Sequence, residues 1–279
     1  SARGNAMGTE ITADPASPSV LYNNPAAMTA LEGTQVEAGA TFIKPNQTVS
    51  TVTPAGAADN DADSQWWVPP NAYVTHQFND KVWTGVGVFS RYGLGIDFDD
   101  DWAGRYNCQE ATIKSIDVNP SVAFKALDNL SLAAGLRAEW FDFDFKRALP
   151  TGTPFVDPDL QMHLSGDSWG IGYNLGAYYE ATDWLAFGLS YDSEIDQTVE
   201  GDYTAASPLG VASAGDGEGD ITTPGILRFG TSVKATEKLT VNAGIVYTMW
   251  SSYDELAIDF EPALLGKVPT STTEKNWDD

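Results

Sequence analysis

The 279-residue sequence predicts an all-β fold, a transmembrane antiparallel up-and-down β-barrel, from three observations. Long segments alternate apolar residues with polar or small ones at period two, which gives each face of a strand one kind of side chain. Tight polar turns recur at Gln77-Phe78-Asn79-Asp80-Lys81-Val82, Ala126-Leu127-Asp128-Asn129-Leu130, Ala181-Thr182-Asp183-Trp184-Leu185 and Ala235-Thr236-Glu237-Lys238-Leu239, spaced 49, 54 and 54 residues apart at Asp80, Asn129, Asp183 and Glu237. Each interval holds two long strands and a long acidic loop rather than a propeller blade, and short turns at one end with long loops at the other are the asymmetry of an outer-membrane barrel. Finally, only 19% of residues are charged, while 26 are Gly, 9 Trp, 11 Tyr and 12 Phe, a composition that suits a wall facing lipid.

The balance of 15 Lys+Arg against 39 Asp+Glu gives a net charge of −24, which argues against a nucleic-acid partner because phosphate binding needs a basic stripe. A single cysteine, Cys108, excludes an intramolecular disulfide framework and a cysteine zinc site. His76 and His163 leave little room for a histidine metal centre, and neither stands in a nucleophile context, so no enzyme, metal or cofactor is expected. No run of about 18 apolar residues reads as a transmembrane helix. The chain opens at Ser1 and stops at Lys275-Asn276-Trp277-Asp278-Asp279 without a turn, so both ends read as cut.

Taken in order, residues 1–33 do not alternate; rich in Ala, Pro, Ser and Asn, they read as a plug inside the lumen or a linker. Strands are predicted at 35–45, 71–78, 82–98, 112–127, 130–148, 168–181, 184–204, 224–235 and 239–258, with a tenth starting near 276. Outward loops fall at 46–70, 99–111, 149–167, 205–223 and 259–275. The faces are explicit: Ile116, Val118, Pro120, Val122 and Phe124 oppose Asp117, Asn119, Ser121 and Ala123, and Ile171, Tyr173, Leu175, Ala177 and Tyr179 oppose Gly172, Asn174, Gly176 and Tyr178. Residues 185–191 and 239–249 alternate likewise. A soluble sandwich would turn the apolar face into a core, whereas a membrane barrel turns it to lipid. Segments 130–147 and 184–203 exceed the usual strand of about 5–6 residues, and Trp140, Trp184, Tyr191 and Tyr247 cluster where an interfacial girdle would sit. Both features favour the barrel.

The opening Ser1-Ala2-Arg3-Gly4-Asn5-Ala6-Met7-Gly8 and Tyr22-Asn23-Asn24-Pro25-Ala26-Ala27-Met28, followed by Trp67-Val68-Pro69, Asn79-Asp80, Ser90-Arg91-Tyr92-Gly93-Leu94 and Trp102-Ala103-Gly104, resemble the FadL/TodX family in order and spacing. The resemblance implies a fourteen-stranded barrel plugged by an N-terminal hatch, with Asn24, Pro25 and Ala26 matching the family's hatch motif. It places a partial hatch at 1–33 inside the lumen and an incomplete barrel at 34–279, the last strands missing. It further implies passive transport of long-chain fatty acids or other hydrophobic small molecules across the outer membrane of a Gram-negative bacterium, by a monomer. The alternative is a general porin, or a structural or adhesive barrel with acidic surface loops.

Candidate functional residues follow the strands. Glycines after Ser90 mark either simple curvature or, by the resemblance, the family's inward kink and lateral opening at Arg91, Tyr92, Gly93 and Gly95. If Leu130, Leu132, Leu136 and Trp140 face lipid, the luminal row carries Arg137, Glu139, Phe141, Phe143, Phe145 and Arg147, a greasy path ending in a cation able to hold a carboxylate. The opposite parity would turn the phenylalanines outward and Asp142 and Asp144 inward. Arg228 is expected inside; Lys125 and Lys234 flank the short turns. Phe155, Val156, Leu160, Met162 and Leu164 are apolar in a segment read as an exposed loop, a docking groove for ligand. Asp97, Asp99, Asp100 and Asp101 do not make a calcium loop, because Trp102 and Cys108 occupy the positions of the required Gly and Glu; these carboxylates are read as solvated, bridged by divalent cations to lipopolysaccharide among the membrane lipids.

Overall fold

The computed structural model describes all residues except Ser1, Thr9, Glu10, Pro54, Ala55, Thr153–Asp157, Asp254 and Asn276. Short helices lie near the N-terminus, α1 (Ala2–Ala6), α2 (Val20–Asn23) and a 3-10 segment at Pro25–Ala30. The strands are β1 (Thr34–Ala40), β2 (Thr48–Thr53), β3 (Gly56–Asp61), β4 (Pro70–Gln77), β5 (Val82–Phe89), β6 (Gly93–Asp97), β7 (Glu110–Leu127), β8 (Leu130–Pro150), β9 (Asp159–Thr182), β10 (Leu185–Asp192), β11 (Ile195–Ser207), β12 (Gly210–Thr223), β13 (Ile226–Thr236), β14 (Leu239–Thr248), β15 (Glu255–Leu264) and β16 (Val268–Glu274). All but the β2–β3 hairpin join one antiparallel sheet in the order β1-β4-β5-β7-β8-β9-β11-β12-β15-β16, with β6 on β7 and with β10, β13 and β14 branching in turn from β9.

Tight turns join β4 to β5, β7 to β8, β9 to β10 and β13 to β14 at the predicted places. In the first, the Asn79 side chain accepts from the N–H groups of Lys81 and Val82 at 2.9 and 3.0 Å, an Asx turn that reverses the chain. At the other end the strands run further than their sequence suggested. The expected loop 149–167 is mostly the paired ends of β8 and β9, the expected loop 205–223 is the tip of a β11–β12 hairpin, and the expected loop 259–275 is largely β15 and β16. The expected tenth strand is not seen at 277–279; Asp279 instead accepts from the Tyr247 hydroxyl and the Ser251 N–H.

The face pattern decides between barrel and sandwich. Ile171 (69% exposed), Leu136, Trp169, Leu175, Val122, Phe229 and Ile245 lie exposed on the outer surface, while Ser121, Asn119, Asp117, Asn174 and Arg137 are buried on the inner one. Apolar out and polar in inverts a soluble protein and is the wall of a membrane barrel. Above Trp140 and Trp169 the outer face turns abruptly to charge. Asp142 faces Asp167, Asp167 faces Glu200, Glu200 faces Glu218 and Glu218 faces Asp259 across adjacent strands, with neighbours about 4.8 Å apart.

Residues 11–31 lie against the inner wall. Val20, Leu21, Ala26, Ala27, Met28 and Leu31 form one buried cluster with Tyr73, Trp83, Phe89, Ala123, Ala133 and Tyr178. Asn24 organises this segment: its carboxamide donates to the carbonyls of Thr12 and Ala177, both at 3.0 Å, and accepts from the Ala26 N–H at 3.1 Å, capping the 3-10 turn. Thr29 meets Ser131 at 2.7 Å, and the Trp83 indole donates to the Leu31 carbonyl at 2.9 Å. The wall gives way at Gly188, where a β-carbon would sit 2.2 Å from the Thr12 carbonyl oxygen. Gly188→Val is therefore expected to expel the N-terminal segment from the wall. Limited proteolysis of the full-length protein in detergent should then cleave this segment in the variant and spare it in wild type.

Candidate functional site

The strand expected at 82–98 breaks, and so do those expected at 184–204 and 239–258, while a fourth interruption falls where the strand expected at 224–235 begins. Ser90–Tyr92 separates β5 from β6, Ser193–Glu194 separates β10 from β11, Pro224–Gly225 separates β12 from β13, and Trp250–Ser252 forms a 3-10 turn between β14 and β15. Each break frees backbone groups that must be satisfied in a lipid-facing wall. Side chains do so: Ser115 exchanges hydrogen bonds with Tyr92, the Arg137 guanidinium donates to the Ser193 carbonyl at 3.1 Å, and the Tyr92 hydroxyl donates to the Pro224 carbonyl at 3.3 Å.

Between the breaks lies a buried ion-pair layer. Arg137 contacts Asp117 at 2.8 Å and Glu139 at 3.2 Å, Arg91 contacts Asp192 at 3.0 Å, and Arg228 also binds Asp192. Gln197 and Thr223 donate to Glu139 at 3.2 Å each. Tyr22 of the N-terminal segment sits with its ring 4.7 Å from the Arg91 guanidinium and 5.6 Å from that of Arg228, a cation–π contact. The expected luminal cations Arg137 and Arg228 thus point inward but carry protein carboxylates, so neither is open to a ligand. Arg91, listed in the sequence only with the kink, is the third cation of the same layer.

On the outer side of this layer the inner face becomes apolar. Phe141 is buried, and the rings of Phe143 and Phe145 stack with centroids 6.1 Å apart. Asp142 pairs with Lys114 at 3.1 Å and Asp144 with His163 at 2.9 Å on the opposite face, so the parity that turned the phenylalanines outward is excluded. Leu160, Met162 and Leu164 are not an exposed loop: they belong to β9, are buried, and lie across from Leu149, Arg147 and Phe145. The reason is the register, since pairing of β8 with β9 continues to Pro150 opposite Asp159 and leaves no loop for them. Met162 and Leu164 instead pack with Tyr203, Phe260 and Leu264, with Phe143 alongside. Phe155 and Val156 fall outside the described residues. Arg147 closes this face; its buried Nε has no hydrogen-bond partner and no ion pair reaches it among the described residues.

Loop residues 98–109 lie beside this outer end. Phe98 stacks on Trp102 at 4.1 Å, and burial pushes the Cys108 thiol up to about 11, so it stays protonated. Among the described residues no cluster of His, Cys, Asp and Glu is arranged to hold a metal ion.

At the first break a cavity of about 780 Å³ opens in the wall, bordered by Trp67, Leu94, Gly95, Tyr92 and Trp140. It is bordered by Ser115 and Ile116 of β7, consecutive residues on the inner and outer faces of that strand, and lies between β4 and β6. Gly93 and Gly95 sit in β6 on its border.

The chain matches, over residues 1–279, the family described as "Outer membrane protein transport protein (OMPP1/FadL/TodX)". It is 27% identical over 267 residues to the 47 kDa outer membrane protein of Pasteurella multocida, covering 85% of this chain and 60% of that protein. It is 26% identical over 266 residues to the long-chain fatty acid transport protein of Salmonella typhi, covering 85% and 61%. The chain thus spans about three fifths of the length of the curated relatives it matches. Its fold superposes on the crystal structure of the Ralstonia pickettii toluene transporter TbuX with a TM-score of 0.79 at 19% identity, covering 99% of this chain and 78% of that one. A Pseudomonas aeruginosa FadL homologue superposes with the same TM-score and identity, covering 99% of this chain and 73% of that one.

Proposed function

From the premise that this chain belongs to the OMPP1/FadL/TodX family of outer-membrane transport proteins, a family of channels rather than enzymes, we propose that the complete protein passively carries long-chain fatty acids across the outer membrane. The observation that carries this reading is the apolar inner face of Phe141, Phe143, Phe145, Met162 and Leu164, ending at Arg147, whose buried Nε has no hydrogen-bond partner among the described residues. An acyl chain covers apolar rings that water would otherwise wet, and its carboxylate gives Arg147 a charge-assisted partner.

The ion-pair layer stands between this face and residues 11–31, so the route for an apolar chain turns sideways, through the wall cavity beside Tyr92, Gly93 and Gly95, into lipid. Residues 1–33 act as the hatch. Movement around Asn24-Pro25-Ala26, relayed by Tyr22 against Arg91, opens the way to that exit. The protein works as a monomer, its apolar outer band facing lipid all round. The carboxylate row above Trp140 and Trp169 meets the phosphates of lipopolysaccharide through divalent cations, which relieves the repulsion of like charges set opposite one another.

The full-length protein in the outer membrane of a host lacking its own fatty-acid importer provides the test. Uptake of a labelled long-chain fatty acid with exclusion of a small sugar is expected. Arg147→Leu is expected to lower fatty-acid uptake about tenfold at limiting concentration, the loss of one hydrogen bond to a charged group, and to leave uptake of a neutral aromatic hydrocarbon unchanged. Free leakage of sugar with no uptake of fatty acid would mark a porin instead. Equal loss for both apolar compounds would remove Arg147 from head-group recognition.

A further inference from the structure

We propose that Trp67 is the shutter of the wall cavity and that Gly95 is the recess in which its indole rests, so that this pair sets the cross-section of the hydrophobic molecules released. The inference rests on the lateral-exit reading above.

The second and third spanning strands part at one point. Their ladder ends where Asn71 faces Phe89, and the preceding Pro69 and Pro70 have no N–H to offer the third strand. On the far side of the gap β6 pairs with β7 alone, and among the described residues backbone hydrogen bonding across the gap resumes where the Asp63 N–H donates to the Asp97 carbonyl at 2.6 Å. Trp67 stands in this interval. Its backbone is pinned by reciprocal N–H to carbonyl bonds with Ile43, both 2.9 Å, so the ring turns about its side-chain torsions without breaking a ladder bond.

The indole lies flat on the bare backbone of Gly95. A β-carbon at that position would come within 1.9 Å of Trp67 Cζ2, and no real side chain tolerates such a contact, so any other residue here displaces the ring. Leu94, Ile113, Ile116 and Trp140 line the same cavity, a surface for hydrocarbon. Lys114 at the border is neutralised by Asp142. Arg91 behind it is held by Asp192. Selection at this point is therefore by girth rather than by charge: an unbranched acyl chain slips past a turned indole, and a fused-ring compound does not.

The test uses the full-length protein with Cys108→Ser, reconstituted in phospholipid vesicles, with transfer of an unbranched fatty acid and of a pyrene-bearing fatty acid measured side by side. Trp67→Ala is expected to raise transfer of the pyrene compound severalfold relative to the unbranched one. Gly95→Leu, which drives the indole into the cavity, is expected to abolish transfer of both, and adding Trp67→Ala to it to restore the unbranched chain. That rescue separates obstruction from misfolding. A further arm places Leu94→Cys in the same background and labels it with a bulky maleimide. Blocked transfer in the labelled protein, with unaltered selectivity in Trp67→Ala, overturns the shutter while sparing the lateral exit. Undiminished transfer through the labelled protein overturns the lateral exit itself.

Discussion

Arg137→Ala is expected to cost about 3–5 kcal/mol of stability, the range for breaking a buried ion pair by removing one partner. The arginine is 1% exposed, and both carboxylates it holds, Asp117 and Glu139, are fully buried. Their remaining partners do not replace it. One oxygen of Asp117 already has no hydrogen-bond donor, its nearest cation being the Arg91 Nε 3.7 Å away. The substitution also orphans the Ser193 carbonyl at a strand break. Denaturant unfolding of the full-length protein in detergent, followed by the mobility shift between folded and unfolded barrel, measures the loss. The triple change Arg137→Met, Asp117→Asn, Glu139→Gln removes the charges together and should recover most of it, since a buried pair replaced whole is often neutral. An Arg137→Ala protein as stable as wild type would mean that water reaches the layer and solvates both carboxylates.

Phe143→Asp is expected to abolish fatty-acid uptake while leaving the barrel folded. Phe143 borders a small pocket with Leu164, Val199, Ile221 and Ile258, where a carboxylate is expelled by its desolvation and repels a fatty-acid head group held at Arg147. Phe143→Leu keeps the apolar surface and should retain uptake within about twofold, a volume-conserving exchange being tolerated best. Uptake in the same host, with folding checked by heat-dependent mobility, distinguishes the two. Normal uptake by Phe143→Asp would place the acyl chain elsewhere.

The wall was legible in the sequence because alternation reports directly which side of a strand meets lipid. Ile171, Tyr173 and Leu175 against Gly172 and Asn174 state it without any tertiary information, and the turn at Asn79 announces itself by its own side-chain chemistry. Lengths beyond the membrane were less legible: Leu160, Met162 and Leu164 alternate strictly with Asp159, Gln161, His163 and Ser165, but a stretch of three apolar residues next to Ser165-Gly166-Asp167-Ser168 does not by itself tell a strand end from an apolar loop until β8 pairs with it. The boundary at Pro224-Gly225 is legible as a strong punctuation signal, but the strand before it reads as a loop, and the breaks after Asp192 and Thr248 were missed. Luminal parity placed Arg137 and Arg228 inside, but no spacing in the chain reveals that Asp192 is the shared counter-ion of Arg228 and of Arg91, from which it is separated by 101 residues. Residue type gave direction, and partnership came only from the folded geometry.

The coincidence of the strand breaks has a mechanical consequence. A β-sheet wall resists deformation along its hydrogen-bonded direction, because each interior strand is bonded to both neighbours. At the level of Ser90–Tyr92, Ser193–Glu194, Pro224–Gly225 and Trp250–Ser252 that continuity is cut, and the load passes to spokes: Arg91 to Asp192, Tyr92 to Pro224, Arg137 to Ser193. Spokes made of side chains yield by rotation where a β-ladder yields only by tearing, so the molecule has a compliant waist between two stiff rims. Deformation applied at either rim gathers at that waist, where Tyr22 rests on Arg91 and Trp67 on Gly95.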